Sequence, residues 1–265
     1  MTDQPQPSAS PASPAPRYVV VTGGATGIGR ATALDFARQG AAGVIVTGRR
    51  KDKLDEVAAL HPALVPVCAD VSTQEGADAV AEAVEAWGGT VDVLVHNAGV
   101  HTIGAAGSID PEAARELFAI NVLGTIILTN RLLPALTSPG GNIVFVTSPA
   151  GHNPTPMASV YAASKAAVDS FTRSWALELA PRGIRVNAVA PGWVRTEVYE
   201  SHGMTTEQVD KLFEQAAKSV PMGVTGVPED VSRWITLLAA PGSAWMTGQI
   251  LTMDGGADLV RARQV

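Results

Sequence analysis

The sequence predicts an α/β fold in which a parallel β-sheet is covered by helices on both faces. Seven short runs rich in β-branched residues recur along the chain with little apolar–polar alternation, as expected of strands buried on both sides. Helix-like stretches separate them, and repeated strand–helix–strand order implies parallel neighbours joined by right-handed crossovers. The first strand also runs directly into a glycine-rich junction that opens a helix.

The elements can be placed in order. Residues 1–16, MTDQPQPSASPASPAP, carry no hydrophobic periodicity. They lack the basic start and apolar core of a signal peptide, so they read as a disordered tail. A single domain is expected over 17–265. Its strands are expected at YVVVTG (18–23), GVIVTG (43–48), LVPVCA (64–69), VDVLVHN (91–97), NIVFVTS (142–148), IRVNAVA (184–190) and QILTMD (249–254). Helical patterns lie between them, among them GRATALDFARQG, QEGADAVAEAVEAWGG, PEAARELFAINVLGTIILTNRLLPAL and ASKAAVDSFTRSWALELAPRG. Asp110 followed by Pro111 is an N-cap with a first-turn proline, and Gly40 and Gly183 suit helix ends. No internal repeat or second break in composition divides the chain.

Composition excludes several function classes. Charged residues are 17% and AVILMFWYC residues 46% of the chain, too apolar for a disordered protein. The net charge is −6 and no basic run exceeds RRK at 49–51, which argues against nucleic acid or an anionic membrane as the main partner. Apolar stretches such as AINVLGTIIL are too short to span a bilayer. The five histidines show no metal-ligand spacing, so no metal is expected. The single cysteine, Cys68, excludes an internal disulfide and fits a reducing compartment such as the cytoplasm. Within ALVPVCAD it reads as a buried small hydrophobe.

The junction TGGATGIG (22–29) places Gly23, Gly27 and Gly29 in the spacing Gly-x-x-x-Gly-x-Gly, with Thr26 and Ile28 between them. A tight turn, close approach of backbone to a pyrophosphate and bare N–H groups at a helix N-terminus are the needs such a loop meets. No Gly-Lys-Ser/Thr follows, which excludes a nucleoside-triphosphate loop of that type. The second strand ends VTGRRKDK, with Gly48, Arg49 and Arg50 and no acid before Asp52. A free ribose 2′-hydroxyl calls for a carboxylate there and a 2′-phosphate for an arginine. Arg49 therefore favours NADP(H) over NAD(H), against the alternative of a solvated basic turn. Thr26 stands where a basic residue would have strengthened that choice.

Tyr161 and Lys165, in YAASK (161–165), would share one helix face at a spacing of four. An ammonium beside a phenol favours the phenolate and would lower the tyrosine pKa toward the range useful for proton transfer. Alone, the pair could be an ordinary exposed i,i+4 contact. In order and spacing, however, TGGATGIG, HNAG (96–99), YAASK and PGWVRT (191–196) together resemble the short-chain dehydrogenases/reductases, and the resemblance covers about 17–258. It implies a doubly wound, Rossmann-type sheet of seven parallel strands in the order 3-2-1-4-5-6-7. It also implies a catalytic set of Asn121, Ser148, Tyr161 and Lys165. Ser148 would hold the substrate oxygen, Tyr161 would transfer the proton, Lys165 would hold the nicotinamide ribose, and Asn121 would kink its helix and hold a relay water. By the same resemblance Asp70 and Val71 would meet adenine, and Asn97, Ala98 and Gly99 the adenosine ribose. Pro191, Gly192, Val194 and Thr196 would flank the nicotinamide. His96 departs from the family's asparagine at that position.

The expected reaction is carbonyl–alcohol interconversion on a largely apolar small molecule. The segment 193–222, with Trp193, Tyr199, His202, Met204, Phe213 and Met222, is expected to be a substrate lid with an apolar lining and few charges. Two alternatives stand beside this: reduction of a 3-ketoacyl thioester, for which Arg182 would be one of two basic residues, and a non-catalytic NADP(H)-binding sensor or scaffold. The resemblance also suggests a homotetramer, or a dimer, built on the helices flanking the fifth strand.

Overall fold

The computed structural model describes residues 18–153, 155–201 and 203–261; the proposed tail (1–16), Pro154 and His202 fall outside these ranges. Seven strands form one sheet: β1 (Tyr18–Thr22), β2 (Gly43–Gly48), β3 (Leu64–Cys68), β4 (Val93–His96), β5 (Asn142–Val146), β6 (Arg185–Pro191) and β7 (Ile250–Met253). Every pairing is parallel and the order is β3-β2-β1-β4-β5-β6-β7, as the resemblance implied.

The helices are α1 (Gly27–Arg38), α2 (Lys51–Ala58), α3 (Gln74–Glu85), α4 (Pro111–Phe118), α5 (Gly124–Leu132), α6 (Ser159–Leu179), α7 (Val198–Ser201), α8 (Thr206–Ser219), α9 (Pro228–Ala239) and α10 (Ala257–Arg261). Local signals act where the sequence placed them. The Asp110 carboxylate accepts the Glu112 N–H at the start of α4, and Gly40 and Gly183 adopt left-handed φ of 90° and 68° just beyond helices. Such conformations suit glycine because it has no Cβ to clash.

The lack of alternation in the strands is explained by two cores, one on each sheet face. Val19 and Val21 of β1 point into the first, against Phe36 of α1 and Ile235 and Leu238 of α9. Val20, between them, points into the second with Ile143 and Phe145 of β5, Leu128 and Leu132 of α5 and Val168 of α6. Both faces are covered, so both parities must be apolar.

The edge strand β3 departs from this pattern. Beyond the buried Leu64, its residues alternate between half-buried Val65 and Val67 and exposed Pro66 and Cys68, which corrects the expected burial of Cys68. An edge strand has only one neighbour and one well-covered face, so an apolar run there does not guarantee burial. Among the described residues no helix is long and apolar enough to cross a membrane, and no group of His, Cys, Asp and Glu could hold a metal ion.

Candidate active site

All seven strands point their carboxyl ends the same way, and the predicted site residues gather there, where open α/β sheets bind ligands. The glycine loop leaves β1 and enters α1. Gly23 has φ of 62° and Gly27 of 52°, conformations that other residues rarely adopt. A Cβ at Gly29 would collide with the Gly23 carbonyl oxygen and with Asn97 Nδ2. Asn97 tethers this loop, its Nδ2 donating to the carbonyls of Thr22 at 2.9 Å and Gly23 at 3.1 Å. The N–H groups of Asn97 and Ala98 both donate to Thr22 Oγ1, so the ends of β1 and β4 form one rigid ledge. Ile28 packs its side chain against the first core. These features make a cradle that only glycine permits, and they fit a dinucleotide pyrophosphate.

The segment after β6 crosses over that cradle. A Cβ at Gly27 would lie 3.0 Å from Thr196, and the Gly27 N–H donates to Glu197 Oε2 at 2.9 Å. Glu197 also pairs with Arg30 of α1 at 2.8 Å. Sequence reading missed Glu197, since nothing local links it to a loop 170 residues earlier. Val194, buried, pairs through its backbone with Gly226, and Pro191 and Gly192 border the cavity described below.

At the end of β2, Arg49 is half-exposed and lies 3.9 Å from Asp70 and 3.6 Å from Glu116, distances at which surface ion pairs contribute little. Arg50 donates to Thr26 Oγ1 at 3.3 Å. Burial raises the pKa of the Asp70 carboxyl, but hydrogen bonds from the Ser72 hydroxyl and N–H and the nearby Arg49 outweigh it, leaving a net lowering. Thr73, not Asp70, caps α3. Val71 is buried beside it, and Gly124 allows α5 to approach the Val71 carbonyl, where a Cβ would come within 2.9 Å.

Asn121 sits within a π-helical turn, Ala119–Leu123, joining α4 to α5. Single π turns inside helices are rare overall but frequent at functional sites. Asn121 is 2% exposed. Its Oδ1 accepts the Val100 N–H at 2.9 Å, and its Nδ2 donates to Val100 O at 3.0 Å and to Ser164 Oγ at 3.1 Å. Gly99 brings the chain so close that a Cβ would lie 3.3 Å from Asn121 Oδ1 and 3.5 Å from Lys165 Nζ.

Ser148 lies two residues beyond β5 and opens a 3₁₀ turn over Pro149–Gly151, its Oγ accepting the Ala150 N–H at 3.2 Å. Tyr161 and Lys165 share α6, with Lys165 Nζ 5.7 Å from the centre of the Tyr161 ring. Lys165 Nζ donates to Val146 O at 2.9 Å. Burial pulls the Lys165 ammonium down to a pKa of about 8, opposed by the negative charge of Asp169.

The expected lowering of the Tyr161 pKa does not arise from the protein alone. Burial raises it, and a hydrogen bond with Ser148 only partly offsets that. The ammonium lies over the ring and is engaged by a backbone carbonyl, so desolvation of the phenol wins.

A cavity of ≈ 200 Å³ opens beside Ser148 and Tyr161. Trp193 and Tyr199 line it as expected, but so do His101, Thr155, Asp254 and Asp258. Two carboxylates therefore replace the expected lining of few charges. Asp254 and Asp258 follow β7, at the carboxyl end of a strand, and that position was the signal available to find them. Burial, with Tyr161 nearby, pushes Tyr199 up to about 12. Phe213 is buried against Trp193 and Tyr199, whereas Met222 is 72% exposed and outside the cavity lining. Arg182 donates to Leu133 O at 3.1 Å. His96 is buried, stacked on Phe145 and hydrogen-bonded through Nε2 to Thr129 at 2.8 Å.

A family model described as enoyl-(acyl carrier protein) reductase matches residues 23–258. A solved short-chain dehydrogenase/reductase of the glucose/ribitol dehydrogenase type from Brucella melitensis superposes with a TM-score of 0.83 at 31% identity, covering 91% of this chain and 96% of that one. This chain belongs to the short-chain dehydrogenase/reductase family. It is similar to oxidoreductase asL5 of Sarocladium schorii, at 38% identity over 242 residues, 91% of this chain and 95% of that protein. It is also similar to the 3-oxoacyl-[acyl-carrier-protein] reductase FabG of Thermotoga maritima, at 37% identity over 245 residues, 91% of this chain and 97% of that protein. As a member of this family the chain is an oxidoreductase of a fold that uses a nicotinamide cofactor, acting on a small molecule.

Proposed function

We propose that this short-chain dehydrogenase/reductase interconverts a carbonyl and a secondary alcohol with NADP(H) in preference to NAD(H), with Tyr161 as general acid and base. The observation that carries the reading is the half-buried Tyr161, which lines with Ser148 a cavity bordered by Pro191 and Gly192. The glycine cradle of Gly23, Gly27 and Gly29 would hold the pyrophosphate and Arg49 the 2′-phosphate. Asp70, Val71, Asn97, Ala98 and Gly99 would border the adenosine, and Val194, Thr196 and Lys165 the nicotinamide half. When bound, the nicotinamide supplies or accepts a hydride.

The chain's own groups do the rest. Ser148 fixes the substrate oxygen and Tyr161 delivers or removes the proton at that oxygen. Lys165 adds positive charge near the phenol, and Asn121 holds the Val100 backbone beside it. The substrate has an apolar body compatible with Trp193 and Tyr199, and carries hydrogen-bond donors toward Asp254 and Asp258. Segment 193–222 would act as its lid. Exposed Leu123, in the π turn before α5, and Leu177 on α6, at 52% and 79%, support assembly as a homotetramer or dimer, and the single cysteine suits a reducing, cytoplasmic setting.

A panel of ketones and secondary alcohols, run with NADPH and NADH, tests the reading. Turnover of a panel member, faster with NADPH, is expected. Cofactor binding without turnover of any member would favour a sensor instead, and selective turnover of 3-ketoacyl thioesters would favour that substrate class.

A further inference from the structure

Asp169 lies one helical turn beyond Lys165 on α6 and is 2% exposed. A buried carboxylate is costly unless its oxygens are satisfied. Its Oδ1 accepts from Thr147 Oγ1 at 2.7 Å and its Oδ2 lies 3.3 Å from His152 Nδ1. Thr147 immediately precedes Ser148, and His152 immediately follows the 3₁₀ turn that Ser148 opens. One carboxylate thus grips both ends of the turn carrying Ser148 and seats it on the helix carrying Tyr161 and Lys165. Gly151 makes the fit possible: a Cβ there would lie 2.9 Å from Asp169 Oδ2 and 3.0 Å from the Lys165 carbonyl carbon. On its far side, His152 Nε2 lies 3.4 Å from Asp258 Oδ2 and 3.3 Å from Thr252 Oγ1, extending the clamp to the cavity wall.

We propose that Asp169 is a positioning residue that locks the Ser148 turn onto the Tyr161–Lys165 helix and serves as a counter-charge to Lys165 one turn away. The groups around Lys165 support this. Tyr161 and Asp169 flank it on α6, the Val146 carbonyl faces it from β5, and the neutral Asn121 and Gly99 approach from the π turn and the loop after β4. His152 and Asp258 lie beyond Asp169. Asp169 opposes the effect of burial on Lys165. The consequence for turnover rests on the function proposed above; the charge state of Lys165 does not.

The test is a pH titration of the Lys165 ¹⁵Nζ signal in lysine-labelled protein, where Lys51, Lys53, Lys211 and Lys218 lie at the surface. Asp169→Asn is expected to lower the Lys165 midpoint by about one unit or more. An unchanged midpoint overturns the proposal. Thr147→Val, which keeps the carboxylate but removes one of the groups it grips, guards against a variant that fails to fold: faster amide hydrogen exchange at Ala150, Gly151 and His152 is expected, and unchanged exchange overturns the proposal.

With a panel substrate, Asp169→Asn should lower kcat about tenfold and move the alkaline limb of its pH profile down, with dinucleotide Kd changed less than about threefold. Parallel loss of Kd and melting temperature with no shift of that limb would mean a purely structural role and defeat the idea. Full turnover by Tyr161→Phe would instead sink the function reading and leave the Lys165 titration untouched.

Discussion

The two halves of the crevice are built from different materials. The glycine loop, with the ledge at the ends of β1 and β4, is shaped by backbone: positive φ at Gly23 and Gly27, a Cβ-free contact at Gly29, and main-chain groups held by Thr22 and Asn97. The region around β5 and α6 is shaped by buried polar side chains, with Asn121, Lys165 and Asp169 each 6% exposed or less. A backbone cradle tolerates no added atoms. A buried polar cluster tolerates changes of shape better than changes of charge or hydrogen bonding.

That contrast can be broken by experiment, and the largest expected effect is on turnover. Tyr161→Phe should cost about 10³-fold in kcat while dinucleotide Kd moves less than about threefold, since only the transferable proton is lost. Comparable loss of Kd would show that the two regions are not separable. Gly29→Ala is the converse case. Its methyl must displace the Gly23 carbonyl or Asn97, so dinucleotide binding should be largely lost and stability should fall by roughly 1–3 kcal/mol in thermal or urea unfolding. Retained binding would remove the cradle from the argument.

His96 gives a pH test of the polar half. Burial depresses its pKa to about 3. The unfolded chain therefore takes up a proton below pH ~6.5 that the folded chain refuses. Stability is complete above that pH and falls by up to ~1.4 kcal/mol per unit between about 6.5 and 3. His96→Asn should flatten that slope in urea titrations at several pH values, and an equal slope in the variant would show that His96 is not the group responsible. The smallest effect is expected at Arg49, which is half-exposed. Arg49→Ala should weaken NADPH binding about tenfold and leave NADH nearly unchanged, and equal losses for both would end the case for a 2′-phosphate contact.

Much of the site was legible in sequence because its markers are local. A glycine that must accept positive φ, or a tyrosine and lysine one turn apart on a helix, leaves a mark within eight residues. Asn121 and Ser148 left no such mark and entered only through the ordered motifs that resemble the family; with Tyr161 and Lys165 they lie near the ends of β4 and β5. What escaped were residues recruited across the chain. Glu197 reaches Gly27, Asp254 and Asp258 line the cavity from behind β7, and Asp169 has no meaning until Thr147 and His152 are seen against it. Cys68 was misread because its exposure follows from the place of β3 at the edge of the sheet rather than from its apolar neighbours.

By itself, the sequence determined the parallel α/β sheet, the strand and helix positions and the glycine cradle, because periodicity and backbone conformation are short-range properties of the chain. Only the tertiary structure decided the charge environment of the site: the raised tyrosine, the moderated lysine and the acidic wall of the cavity. The reason is that desolvation and Coulomb interaction depend on which distant segments pack together, and no local pattern records that distance.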